Sequence, residues 1–382
     1  MNNTLFAELD ELKQSDGPEA AIERLIATLR EREDFHKLFD ALCLKKKFEL
    51  GLPLARPTSF DEVPDDRRGE FEDGYVAAAR ETGELLLSAD NIPEAWVYLR
   101  TIHEPEKVAE AIEAVDVRRE ADEQTEQLIN IALYEGANPV KGLEMMLRTH
   151  GTCNTVTALD QQILNMQPAD RRRAAALLVN ELYTDLSHTL RHEVEQKMAS
   201  VPPELSLREL MFGRDWIFAE DNYHIDVSHL NAVVRFSRHL TDADPELLKV
   251  IELAEYGSKL SPQFQYEADP PFDDFYPAHV QFFKALADED RDDALAYFRE
   301  KLAGESDEEA KPMLAYVLVD LLVRIERIDA ALELAKEHLK DVEDPAGFSF
   351  AALCQQAGRM DLLQTVAREK GDLVSYTAAL LQ

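Results

Sequence analysis

Apolar residues recur at three- and four-residue spacing along almost the whole chain. In Ala330, Ala331, Leu332, Leu334, Ala335 and Leu339 they draw one stripe, which predicts an amphipathic helix with a single buried face. Apolar–polar alternation of period two is nearly absent. Only 14 Gly and 17 Pro occur in 382 residues, too few for the many turns of an all-β fold. The pattern predicts an all-α protein.

A short motif returns within this pattern: a small turn, an acid or Asn, then a helix that opens with a small residue and large apolar ones. It occurs at Arg291-Asp292-Asp293-Ala294-Leu295, Arg327-Ile328-Asp329-Ala330-Ala331 and Arg359-Met360-Asp361-Leu362-Leu363, spaced by 36 and 32 residues. Each copy follows another predicted helix, over 276–287, 308–325 and 345–357. Looser copies lie at Asp16-Gly17-Pro18, Asn91-Ile92-Pro93 and Asn138-Pro139-Val140. The acid or Asn is placed to cap the free N–H groups of the second helix, and the small residue lets paired helices approach closely. A mean spacing of about 34 residues resembles the tetratricopeptide repeat. The resemblance is best over 276–370, with echoes in 1–150. It implies antiparallel helix hairpins stacked into a right-handed superhelix, with a concave face for a protein partner and no catalysis.

Three stretches interrupt the helices. Residues 51–66 carry Pro53, Pro57 and Pro64, Pro202-Pro203 follows a long helix predicted over 169–198, and 261–277 mixes four prolines with Phe264, Tyr266, Phe272, Phe275 and Tyr276. So aromatic a loop is expected to pack on the body, with a groove-covering lid as the alternative. The chain divides into an N-terminal helical piece (1–50), a Pro-containing linker (51–66), a hairpin array (67–200), a non-repeat central segment (201–275) and tetratricopeptide-like repeats (276–382).

The densest polar cluster, Gly213 to Asn231, lies in the non-repeat segment. His224, Asp226 and His229 could supply two imidazoles and a carboxylate to a divalent metal ion, with Arg214, Asp215, Tyr223 and Asn231 around them. The alternative is that Asp226 caps a helix over about 229–240 and His224 packs with Tyr223. In a second cluster, His150-Gly151-Thr152-Cys153-Asn154, Gly151 is placed to end a helix over 138–149. Cys153 and His150 could form a nucleophile pair, or the group could simply cap helix ends. His103 ends a similar helix, so His103, His150, Cys153 and Asn154 join the candidate pocket. Asp215 with Glu220 and Asp221 could serve as a glycosidase-like acid and base. His188 and His192 stand one helical turn apart, without the Glu of the metalloprotease motif.

Charge narrows the partners. With 75 acidic and 41 basic residues the formal net charge is −34, which repels nucleic acid and anionic lipid and favours basic proteins or peptides, or cations. Three scattered cysteines fit a reducing compartment, and neither a leader-like N-terminus nor a transmembrane stretch is evident, so cytoplasmic residence is expected. Two functions follow: a helical-repeat scaffold that binds a protein or peptide through its concave face, or a metal-dependent enzyme or small-ligand binder centred on His224, Asp226 and His229.

Overall fold

The computed structural model describes residues 2–117, 122–198, 201–266, 268–342 and 348–382. Among them the regular structure is helical and no β-strand forms. The chain divides into two compact units, Met1–Met166 and Gln167–Gln382. That boundary falls inside the stretch 67–200 expected to be one array.

The first unit holds α1 (Asn2–Ser15), α2 (Pro18–Glu31), α3 (Phe35–Glu49), α4 (Asp65–Ser88), α5 (Ile92–Thr101), α6 (Glu106–Glu113), α7 (Glu123–Ile129) and α8 (Pro139–Gln162), with a π turn at Asn130–Tyr134. From α1 to α6 each helix packs on its neighbour in sequence. The second unit holds α9 (Pro168–Lys197), α10 (Leu207–Met211), α11 (Val227–Phe236), α12 (Glu246–Ser258), α13 (Phe275–Ala287), α14 (Arg291–Gly304), α15 (Lys311–Arg324), α16 (Ile328–His338), α17 (Phe350–Gln356), α18 (Met360–Lys370) and α19 (Leu373–Leu381). Here α9 supports α10, α11 and α12, and from α12 onward neighbours pack in chain order. No described helix is long and apolar enough to cross a membrane.

One turn geometry recurs. A residue with positive φ ends the helix, and the next amide donates to the carbonyl five residues back. The pairs include Asp34 to Leu29 (3.0 Å), Asn91 to Leu86 (2.9 Å), Glu104 to Leu99 (2.9 Å), Arg327 to Leu322 (2.8 Å) and Arg359 to Cys354 (2.8 Å). This is the Schellman closure, which satisfies carbonyls that a helix end otherwise leaves without partners. The left-handed residue is glycine at Gly358 (φ 66°), but Glu33 (55°), Asp90 (58°), His103 (58°) and Glu326 (61°) take it elsewhere.

The capping expectation divides. Asn91 and Asn138 cap α5 and α8, accepting from Glu94 N (3.4 Å) and Lys141 N (3.2 Å). Asp329 and Asp361 instead lie inside the first turns of α16 and α18, and the preceding Arg327 and Arg359 make no side-chain cap. Their carboxylates favour the positive helix end through the macrodipole rather than by a cap bond. The Arg291 copy carries a longer turn, because both Asp288 and Asp290 take positive φ before α14 begins.

The interruptions are tied down. Lys47 is fully buried at the end of α3, and its ammonium donates to the carbonyls of Arg56 (2.6 Å) and Ser59 (2.7 Å) while lying 5.1 Å from the Phe71 ring centre. Phe60 from the same loop packs edge-on against Phe71 at 4.9 Å. In the second unit α12 and α13 approach closely because position 257 is glycine: a Cβ there would stand 2.3 Å from the Tyr276 ring.

Non-glycine residues in the left-handed region cost about 1 kcal/mol each. Glu33→Gly and Glu326→Gly are expected to stabilise the chain by up to about 1 kcal/mol apiece, less the added freedom of the unfolded chain. Urea unfolding checks this against an exposed mid-helix Glu→Gly control, which is expected to destabilise.

Candidate functional site

The central polar segment folds into a short helical turn at Asp215–Asp221 and a loop that leads into α11. Asp226 is the N-cap of α11, and its Oδ1 accepts from Ser228 N (2.8 Å) and His229 N (3.3 Å). His224 turns elsewhere. Its side chain is 4% exposed, Nε2 bonds Glu193 of α9, and Nδ1 lies 3.1 Å from the Tyr256 hydroxyl of α12. The His224 backbone N–H donates to the same hydroxyl at 2.9 Å. An Nε2–H tautomer satisfies the bonds to Glu193 and Tyr256, with Nε2–H donating to Glu193 and the tyrosine O–H to Nδ1. His224 and Asp226 are therefore engaged in different directions. Among the described residues no group of three or more His, Cys, Asp or Glu side chains is arranged to hold a metal ion.

The surrounding candidates also have structural partners. Arg214 donates through Nη1 to the carbonyls of Glu209 (2.8 Å) and Leu210 (2.9 Å), finishing α10. Tyr223 packs on Phe264 at 4.9 Å, not on His224, whose aromatic neighbour is Tyr256. Asn231 accepts from the buried Tyr276 hydroxyl. Asp215, Glu220 and Asp221 are exposed, as are His188 and His192 on α9.

The second cluster lies in the first unit. Gly151 breaks α8 with φ 76° and ψ 176°, a conformation essentially restricted to glycine. The polar residues after it serve the break: Asn154 Nδ2 donates to His150 O (2.9 Å) and Thr155 Oγ1 to Gly151 O (3.0 Å). Cys153 is a free, exposed cysteine. His103 is the exposed left-handed residue after α5. His150 reaches Glu126 of α7, Nε2 to Oε1 3.0 Å.

That last contact borders a groove that periodicity does not reveal. Between α5 and α7 lies a space of about 760 Å³, lined by Trp96, Val97 and Arg100 on one side and Glu123, Glu126 and Ile131 on the other. The π turn brings Glu135 to its end. One Glu135 oxygen accepts from Trp96 Nε1 (2.7 Å) and pairs with Arg100, and the other accepts from Asn130 Nδ2 (2.9 Å). Trp96 is thereby fixed and 6% exposed, whereas Val97 beside it is 62% exposed. Trp96 stands in the Asn91 copy of the repeat motif, the one sequence signal that could have marked this place.

Among the described residues of the aromatic stretch, buried Phe272 and Phe275 pack on the body, as expected. Tyr266 and 268–271 also wall a second cavity with Arg235, Arg238 and His279.

No protein-family model matches the chain, and no curated protein and no solved structure matches it.

Burial works against ionisation of Glu193, but hydrogen bonds from His224 and Lys197 outweigh it and hold the carboxyl below the usual 4.5. The stabilisation is thus present above pH 4.5 and is lost as the pH falls through the lower folded value. The thermal stability gap between the wild type and Glu193→Gln is expected to be open at pH 7 and to narrow below pH 4.5. Among alanine variants the expected order of destabilisation is His224→Ala, about 1–3 kcal/mol for a broken buried set, then Asp226→Ala, about 1, then His229→Ala, within about 0.5. Denaturant titration reads the order.

Proposed function

We propose that the chain is a helical-hairpin scaffold of the tetratricopeptide kind, with hairpins winding into a right-handed superhelix within a unit, and that its first unit binds a basic protein or peptide segment in the groove between α5 and α7. The carrying observation is the groove's composition: exposed Val97 beside the fixed Trp96, facing Glu123 and Glu126. Such a site offers an apolar anchor point with carboxylates placed for Lys or Arg on either side. The neighbour-on-neighbour packing from α1 to α6 supports the repeat part of the proposal, because each hairpin then meets mainly its neighbours in the chain. The alternative centre at His224, Asp226 and His229 has less support, since Asp226 is committed to the α11 N-terminus and His224 to Glu193.

A fluorescent library of Lys- and Arg-rich peptides, each with one Leu or Phe, tests the proposal by anisotropy. Binding is expected to weaken at least tenfold in Glu123→Lys/Glu126→Lys and in Val97→Asp, and to fall with added salt. Equal binding by the wild type and all variants would rule the groove out.

A further inference from the structure

The second unit contains a place whose charge runs against the rest of the chain. The cavity beneath the aromatic loop has a volume of about 580 Å³, within the range of small-molecule sites. It is lined by Arg235 of α11 and Arg238 just after it, by Phe272, Phe275 and Tyr266, by His279 of α13, and by one acid, Asp269. The chain carries 75 acidic residues against 41 basic ones, so acids are abundant as partners for arginine. Arg238 nevertheless forms no ion pair among the described residues. Its contacts are a 3.4 Å bond from Nε to the Arg235 carbonyl and the Phe272 ring, 5.0 Å from the guanidinium. The nearby acid Asp320 pairs with Arg324 at 3.5 Å instead. A half-buried guanidinium without an anion is costly, and proteins ordinarily pair such groups.

His279 supplies the second observation. It is 1% exposed, and its Nδ1–H donates to the Phe275 carbonyl at 2.7 Å, while Nε2 is buried without a partner among the described residues. Its ring stacks on Phe272 at 4.3 Å. Burial, with Arg238 and Arg235 adding to it, holds the imidazole down to about 3 despite the bond to Phe275 O. The ring is therefore neutral, and Nε2 is an unpartnered acceptor among the described residues. An orphaned buried acceptor costs about 1–3 kcal/mol. Nearby His239 is pushed down to about 4 by burial and by Arg171, Arg238 and Arg324, a sign of the positive field on this side of the unit.

We propose that this cavity binds a small organic anion, a carboxylate or phosphate monoester on an aromatic or apolar body, with Arg238 holding the charged group and Phe272, Phe275 and Tyr266 holding the body. Arginine suits either oxyanion, because its planar fork matches both. This site is separate from the groove of the first unit and does not depend on it.

Isothermal titration of the full chain with phenylacetate, phenyl phosphate, inorganic phosphate and 2-phenylethanol tests the proposal and separates the two oxyanions. Saturable one-to-one binding of phenylacetate or phenyl phosphate is expected, with 2-phenylethanol and inorganic phosphate at least tenfold weaker. Arg238→Gln is expected to weaken the better anion at least tenfold with helical circular dichroism unchanged. Should that variant fail to fold, Met313→Trp serves in its place: Met313 is 59% exposed at the cavity rim, so a larger side chain there obstructs entry without disturbing the core. Absence of binding by both aromatic anions, binding of 2-phenylethanol as tight as theirs, or unchanged affinity in the folded variants would overturn it.

Discussion

A hairpin of helices exists only if the chain can reverse without leaving carbonyls unsatisfied, and here one bond does that repeatedly. The amide after the left-handed residue reaches back five positions, commonly to the carbonyl of a buried leucine such as Leu29, Leu86, Leu99 or Leu322. The bond ends one helix and sets the direction in which the next begins. Packing then follows from the turn, because the apolar stripe of the second helix is presented to the first. The chain accepts local strain at Glu33, Asp90, His103 and Glu326 to keep this geometry.

Where the hairpin rule lapses, buried polar groups take over. Lys47 holds the proline-containing loop through two carbonyls and an aromatic ring. His224 fastens the central loop to α9 and α12 through Glu193 and Tyr256. Each is a polar side chain taken out of water with its bonding largely satisfied, the condition under which burial of polarity is tolerated. The cavity beside Arg238 departs from that economy: among the described residues its cation has no anion and an imidazole nitrogen has no donor.

Much of the helical framework was legible, because three- and four-residue spacing reports a buried face directly. The spans 276–287 and 169–198 correspond to α13 and α9 within about a residue, and the glycine stop at Gly151 was visible from its neighbours. Partnerships were not legible. His224 and Asp226 stand two residues apart, yet one bonds a glutamate 31 positions earlier and the other its own helix. Sequence proximity suggested a shared centre, and local backbone capping together with tertiary packing divided it. The groove depends on a π turn that shifts Glu135 onto Trp96, and no periodicity encodes such a shift. Arg238 and His279 both lie against Phe272 of the aromatic loop, whose composition signalled burial but not what it would enclose.

The closing bond of each hairpin joins residues only five apart, so little chain entropy is spent in making it. Structure built from such closures has low contact order, and low contact order goes with rapid folding. Under this logic a hairpin in the run from α1 to α6 can form as soon as its own residues have left the ribosome, without waiting for the distant C-terminus.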